Sequence, residues 1–371
     1  MCKIGLNIKT ISPLLLTTGP PAHNLIETQE AIPGNTIRGL LARRYLDILG
    51  KADDELFRRL FLLKQVKYGF AFIEGAEAIP LSARSCKYHS GFKNDDDGHG
   101  VTDLVFAGDK EKKCAFVEEN EKPCERSLEP FNGFYDPKEN KVWKIKKRLI
   151  TRTAIDSERG SAAVNKLFSQ RVIEENQTFI STIETDEDDL KDALKRLLKK
   201  SFTAFIGKGR SRGQGWATIE QAPTPEDMWG NVTDRFLRCA PKKTLVLTLL
   251  RDAIFQDEYL RDCSAPSGSH LQNLLKTSGI ILGEDEIKLS PDFADADTRM
   301  VFGFDGEPIW LPRVPRLAVK AGSVFCFNST REFKLDRMTG DGVGWTGDKN
   351  DEGFGLAILW HPFHSDNREG F

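Results

Sequence analysis

Two glycine-rich loops, each running directly into an apolar strand, divide this chain into halves that read alike. The first is Gly207-Lys-Gly-Arg-Ser-Arg-Gly-Gln-Gly215, followed by a strand from Trp216 to Glu220. The second spans Gly340 to Gly353 and leads into a strand from Phe354 to Trp360. Gly215 and Gly355 are the matching points, 140 positions apart. Two diverged copies of one βαββαβ-type unit produce such a pattern. The length of 371 residues suits two domains, at ~100–200 residues per domain.

The first half opens strand–helix–strand. Ile4 to Ile8 alternates apolar and polar residues, as a strand does. Asn35 stands as an N-cap before Ile37, Leu40, Leu41, Tyr45 and Ile48, which share one helical face, with Gly50 as the stop. A short helix from Asp53 to about Leu63 and a strand from Val66 to Ile73 follow. Residues 82–135 lose apolar periodicity and read as an irregular insertion. Strands run through Ile155 and from Arg171 to Thr185. A helix then carries Leu190, Leu194, Leu197 and Leu198, with Thr185 and Asp188 as a capping box. Residues 221–240, rich in Pro and mixed charge, mark the boundary, and the second half begins with a strand from Thr244 to Leu250.

The 53 basic residues nearly cancel 55 acidic ones, giving a net charge of −2. That excludes a uniformly basic nucleic-acid coat but leaves room for a segregated basic groove. No apolar run reaches the ~18–20 residues that span a bilayer, and Met1-Cys2-Lys3 does not begin a signal peptide. Seven cysteines in so long a chain argue against a secreted disulfide framework. A reducing cytoplasm is the expected compartment.

The first loop is the most informative segment. Its glycines let the backbone approach a ligand and expose N–H groups, and Lys208, Arg210 and Arg212 add charge suited to phosphates. It lacks the Gly-Lys-Ser/Thr ending of a nucleotide P-loop. It enters a strand rather than opening a helix, unlike a dinucleotide fingerprint. A basic surface hairpin is the bland alternative. The segment from Ile32 to Gly39 ends a loop and opens a helix, where Asn35 and Thr36 could meet an anion. Arg38 opposes the helix dipole there, which hints at an anionic partner.

These motifs, in this order, resemble the RAMP superfamily, proteins that build CRISPR–Cas effector complexes on guide RNA. The resemblance rests on IPGNTIRGLLARRYL (Ile32–Leu46), IGKGRSRGQGWATIE (Ile206–Glu220) and the segment Arg152 to Ala163, then Leu167-Phe168 and Gln177-Thr-Phe179. Asn176-Gln177 stands where the family usually has Pro-Gly. In the second half, Gly303–Phe327 and Gly342–Trp360 resemble the two-domain RAMP subunit of type III-D complexes. The resemblance implies an α+β fold of two tandem ferredoxin-like (RRM-like) domains, 1–222 and 241–371, the first with the Cys/His-rich insertion 82–135. It implies a subunit that grips the repeat-derived 5′ handle of the guide RNA, beside backbone RAMP subunits and the large polymerase-like subunit, with target RNA in the assembled complex. It also places the chain in a bacterial or archaeal cytoplasm. Lys208, Gly209, Arg210, Ser211, Arg212 and Gly213 would form one edge of the cradle, and Asn35, Thr36 and Arg38 the facing edge. Arg152 and Arg159 could clamp bases or phosphates.

The insertion suggests a structural zinc. Its ligand set is Cys86, His99, Cys114 and Cys124, with His89 as the substitute for His99 because Cys86-x-x-His89 has compact spacing. RAMP relatives more often close such a site with a tight Cys-x-x-Cys pair, whereas nine residues separate Cys114 from Cys124. Scattered free cysteines are the alternative. No catalytic residue is assigned. Backbone RAMP subunits cut target RNA with an Asp in the loop corresponding to residues 17–31, and this loop has none. Its candidates are His23, Glu27 and Glu30. Two enzymatic alternatives stay open: a target-cleaving backbone subunit, and a guide-processing endoribonuclease using His23. Asp95-Asp96-Asp97 reads as a solvated loop rather than a Mg²⁺ site.

Overall fold

Ile4, Leu6 and Ile8 put three buried side chains on one face of the strand Cys2–Thr10. It pairs along both edges, with Thr178–Thr185 and Trp216–Ala222, and is a central strand. The computed structural model describes residues 2–17, 24–48, 51–52, 54–106, 113–117, 123–155, 158, 162–223, 229–239, 243–305 and 311–367. Across the first sheet the path is Phe202–Phe205, Trp216–Ala222, Cys2–Thr10, Thr178–Thr185 and Val66–Tyr68, antiparallel throughout. The expected strand to Ile73 breaks at Gly69, where any Cβ would lie 2.7 Å from Thr182 O, and resumes as Phe72–Ile73. Helices α1 (Gly34–Ile48), α2 (Glu55–Phe61) and α3 (Asp188–Leu198) bury their apolar stripes on the sheet, Ile37, Leu41, Leu60, Leu194 and Leu197 among them.

The second sheet repeats this path. Its order is Val343–Trp345, Leu356–Leu359, Thr244–Leu249, Val324–Ser329 and Ile287–Asp295. In both halves an added edge strand is followed by the fourth, first, third and second strands of a βαββαβ unit. The two differ in their helices. Where α3 stands in the first half, the second has only the 3₁₀ turn Leu335–Arg337. A helix from the expected linker, α4 (Val232–Cys239), instead gives Val232, Phe236 and Cys239 to the core, with Phe236 edge-on to Phe333 and Trp360. The helix α5 (Gly268–Thr277) joins the first two strands of the second half.

Two further expectations change. The capping box of α3 is absent: Glu187 is the N-cap, without a side-chain cap bond. Thr185 ends a strand, and its hydroxyl donates to Gln65 O at 3.2 Å while accepting the Glu187 N–H at 3.3 Å. The described residues of the insertion also carry more regular structure than its composition suggests. Strands Val101–Asp103, Ala83–Cys86 and Leu128–Pro130 form a small sheet. Ile79, Ala83, Phe92, Val101, Phe131 and Tyr135 make a separate core, completed by Phe363 of the last helix, α6 (Pro362–Asp366). The insertion therefore packs on the second half. Leu81 N–H donates to Gly322 O at 2.7 Å, and Arg84 pairs with Asp295 at 2.7 Å.

Candidate nucleic-acid interface and metal centre

The two glycine loops share one backbone plan. Ile206 N–H donates to Gly215 O at 2.7 Å, and Thr346 N–H to Gly355 O at 2.8 Å. Lys208 N–H reaches Leu15 O at 3.0 Å, and Asp348 N–H reaches Ile254 O at 2.8 Å. Each tip is a 3₁₀ turn, Arg210–Arg212 in one and Asn350–Glu352 in the other. Left-handed residues flank both: Gly209 (φ 95°) and Gly213 (φ 73°), Lys349 (φ 58°) and Gly353 (φ 91°). Every matched pair within the loops obeys the 140-residue offset.

The tips differ in charge and exposure. In the first, Lys208, Arg210, Ser211, Arg212 and Gly213 lie at the surface. Among the described residues, Lys208, Arg210 and Arg212 have no carboxylate in ion-pair range. The Arg210 guanidinium lies 5.6 Å from the Trp216 ring, which Phe205 meets edge-on. A Cβ at Gly213 would meet nothing within 4 Å, so this side of the loop is open to a ligand. Unpaired cations beside an aromatic ring can hold phosphates and stack a base.

Leu15, to which this loop bonds, belongs to a segment that also carries a long hairpin. The strands Lys147–Ile155 and Ala162–Ile173 pair antiparallel, Arg152 opposite Phe168, and Ile173 bridges to Leu14. Arg152 Nε is buried without a hydrogen-bond partner. Leu149 and Leu167 are exposed. Arg159 and His23 lie outside the described residues. The loop carboxylates are engaged: Glu27 pairs with Arg171 at 3.1 Å, and Glu30 with Lys147 at 2.5 Å.

The start of α1 faces the second loop. The helix begins at Gly34, so Asn35 lies inside it rather than capping it, and Thr36 bonds back to Asn35 Oδ1 at 3.4 Å. A Cβ at Gly34 would fall 1.8 Å from Tyr68 O and 2.4 Å from Glu352 O. Only glycine fits there. Arg38 pairs with Asp351 at 3.2 Å and Glu352 at 3.6 Å, and Arg313 meets Glu352 at 2.6 Å. The anion that Arg38 called for is thus in its own chain. Asp351 and Glu352 are buried and were not singled out from the sequence, although the 140-residue offset sets them opposite Ser211 and Arg212.

Cys86, His99, Cys114 and Cys124 converge, their ligand atoms all within 4.8 Å of one another. Cys86 Sγ and Cys124 Sγ are 3.9 Å apart, and Cys114 Sγ and His99 Nδ1 3.5 Å. A tetrahedral zinc with bonds of about 2.3 Å to sulfur and 2.0–2.1 Å to nitrogen has edges of about 3.8 and 3.5 Å. The four donors fit. Segments 113–117 and 123–127 run antiparallel, with Cys114 N–H on Arg126 O at 2.9 Å and Cys124 N–H on Phe116 O at 2.8 Å, which brings both cysteines to the site. The His99 ring is held between His89 and Phe116, each 4.1 Å away and nearly parallel, so His89 orients the ligand rather than replacing it. Burial pushes the Cys114 thiol up to about 12. Burial is the largest single influence on Cys86 and raises it, but the N–H groups of His89 and Tyr88 together with the thiols of Cys124 and Cys114 outweigh it and hold that thiol below its ordinary value.

A second cluster was invisible in the sequence. His364 bonds Asp103 at 3.0 Å and Thr248 at 2.7 Å, and Ser82 donates to Asp103 at 2.7 Å. Thr–His–Asp is the order of a hydrolase relay. Here all three residues are at most 1% exposed, so no substrate reaches Thr248 Oγ1. The network instead ties the insertion to the second half. Asp95 likewise serves the fold, accepting from Phe92 and Val142 N–H at 2.8 and 3.1 Å.

The RAMP superfamily model matches residues 7–218, more than half of the chain. The chain belongs to the RAMP superfamily. The match spans α1, the hairpin, α3 and the first glycine loop. No curated protein matches the chain. Among solved structures, one of the type III-B Cmr-beta complex bound to cognate target RNA and AMPPnP has a similar chain at 13% identity, covering 87% of this chain and 86% of that one, with a TM-score of 0.42. Oligomeric Cmr4 from Pyrococcus furiosus is similar at 15% identity over 60% of this chain and 99% of that one, with a TM-score of 0.30. No described helix of this RAMP protein is long and apolar enough to cross a membrane.

Proposed function

We propose that this RAMP protein is a non-catalytic guide-RNA-binding subunit of a type III, III-D-like CRISPR effector complex. It consists of two tandem ferredoxin-like domains, 1–222 and 241–371. Lys208 to Gly213 grip the 5′ handle of the guide, Arg152 and Arg159 clamp along the hairpin, and the chain docks beside the large subunit and backbone RAMP subunits. One observation carries the reading: Lys208, Arg210 and Arg212 stand at the surface, without carboxylate partners among the described residues, and Arg210 lies over the Trp216 ring. RNA phosphates are the partners such cations lack. The ion pairs of Glu27 and Glu30 oppose a general-base role for either carboxylate. The Cys/His cluster holds a structural zinc, in keeping with its tetrahedral spacing.

Co-expression with the genomic neighbours tests the reading. An RNA of discrete length should co-purify with this chain and its partner subunits. Incubating the isolated protein with repeat RNA or guide-complementary RNA, with or without Mg²⁺, should leave both intact. Cleavage abolished by His23→Ala would establish the guide-processing nuclease instead. Cleavage abolished by Glu27→Ala or Glu30→Ala would establish the backbone-type nuclease.

A further inference from the structure

The second glycine loop has the backbone of the first, yet the function proposed above leaves it without a role. Three observations give it one. Its tip is acidic where the first is basic, Asn350-Asp351-Glu352 against Arg210-Ser211-Arg212. Asp351 and Glu352 are buried at 7% and 4% exposure, while the first tip lies at the surface. Its seat belongs to the other half: Arg38 takes both carboxylates, Tyr68 O lies 2.5 Å from where a Cβ on Gly353 would sit, and Gly34 gives the tip room.

We infer that the second glycine loop is an intramolecular latch, a copy of the RNA-gripping loop whose reversed charge binds it to an arginine seat on the first half. Arg38 and Arg313 are the recognition groups. Asp351 satisfies Arg38, and Glu352 bridges Arg38 to Arg313, which comes from the second half itself. The loop thereby sets the two sheets at one mutual angle, and Arg38 is withdrawn from RNA. Of the two glycine loops, only the first is left to single-stranded RNA. That contrast rests on the RNA reading above; the latch does not.

A double-variant cycle without RNA isolates the latch. Arg38→Gln and Asp351→Asn should each lower the thermal midpoint of the full chain, and the double variant should fall no further than the worse single one. Additive losses would overturn the latch. If Arg38→Gln does not fold, Asp351→Asn alone should speed amide exchange across residues 350–355 about tenfold; unchanged exchange there overturns it equally. Binding of a labelled single-stranded RNA then tests the contrast. Lys349→Gln should leave affinity within about twofold, whereas Lys208→Ala with Arg210→Ala and Arg212→Ala should lower it well beyond that. A matching loss in Lys349→Gln would give both loops to RNA and overturn the assignment. No RNA binding by any form would fail the RNA reading and leave the cycle to decide the latch.

Discussion

His361 is fully buried, and burial holds its ring well below the ordinary histidine pKa, with His364 and Arg235 adding to the effect. Its Nδ1 accepts the Phe363 N–H at 3.1 Å and so starts α6. A protonated ring could not accept that bond. Above pH ~6.5 the histidine is neutral folded or unfolded. Below that, the unfolded chain takes a proton that the folded chain refuses, so stability falls as pH drops from there toward the lower folded value. Thermal midpoints measured across that window should decline for the native chain and decline less for His361→Asn, which keeps an acceptor without titrating. Equal declines would remove His361 as the cause. Single residues were legible only where neighbours in sequence settle their environment. Ile4, Leu6 and Ile8 could be placed from alternation alone. Arg38 could be read as seeking an anion, but its partner Asp351 lies 313 residues away. Nothing local to Asp103 announces His364, 261 positions on.

At the scale of elements, periodic segments were the legible ones. The stripes of α1 and α3 and the central strands follow from spacing that repeats every turn or every second residue. The insertion has no period because its core gathers single apolar residues and borrows Phe363 from the far end of the chain. The helix α4 was hidden in a stretch that reads as linker. Its stability comes from tertiary contacts, Phe236 against Trp360 and Arg235 donating to Trp229 O at 2.7 Å and Trp360 O at 3.1 Å. The insertion supplies a prediction at this scale. The purified protein should hold about one zinc, as one four-ligand site does. Removing it with a chelator, or replacing Cys114 with Ser, should loosen the sheet Ala83–Cys86/Val101–Asp103 and, through Asp103 and His364, the helix α6. Hydrogen exchange in those segments reads this directly. Metal analysis showing none, or exchange unmoved by chelation, would leave the cluster as a set of free thiols.

For the whole molecule, two loops of one backbone plan and opposite charge explain more than net charge does. A balance of −2 conceals one loop whose cations stand at the surface and another whose acids are buried on Arg38 and Arg313. The repeat itself was legible from the 140-residue offset, because glycine holds the left-handed positions of both loops, Lys349 excepted. Which copy would face solvent was not, since that depends on how one half sits on the other. The salt dependence of single-stranded RNA binding by the intact protein tests the central claim most directly. With Lys208, Arg210 and Arg212 replaced by Ala, the slope of log K against log salt should flatten by up to ~0.7 for each phosphate left without its cation, about 2 in all. An unchanged slope would show that the first glycine loop does not hold RNA.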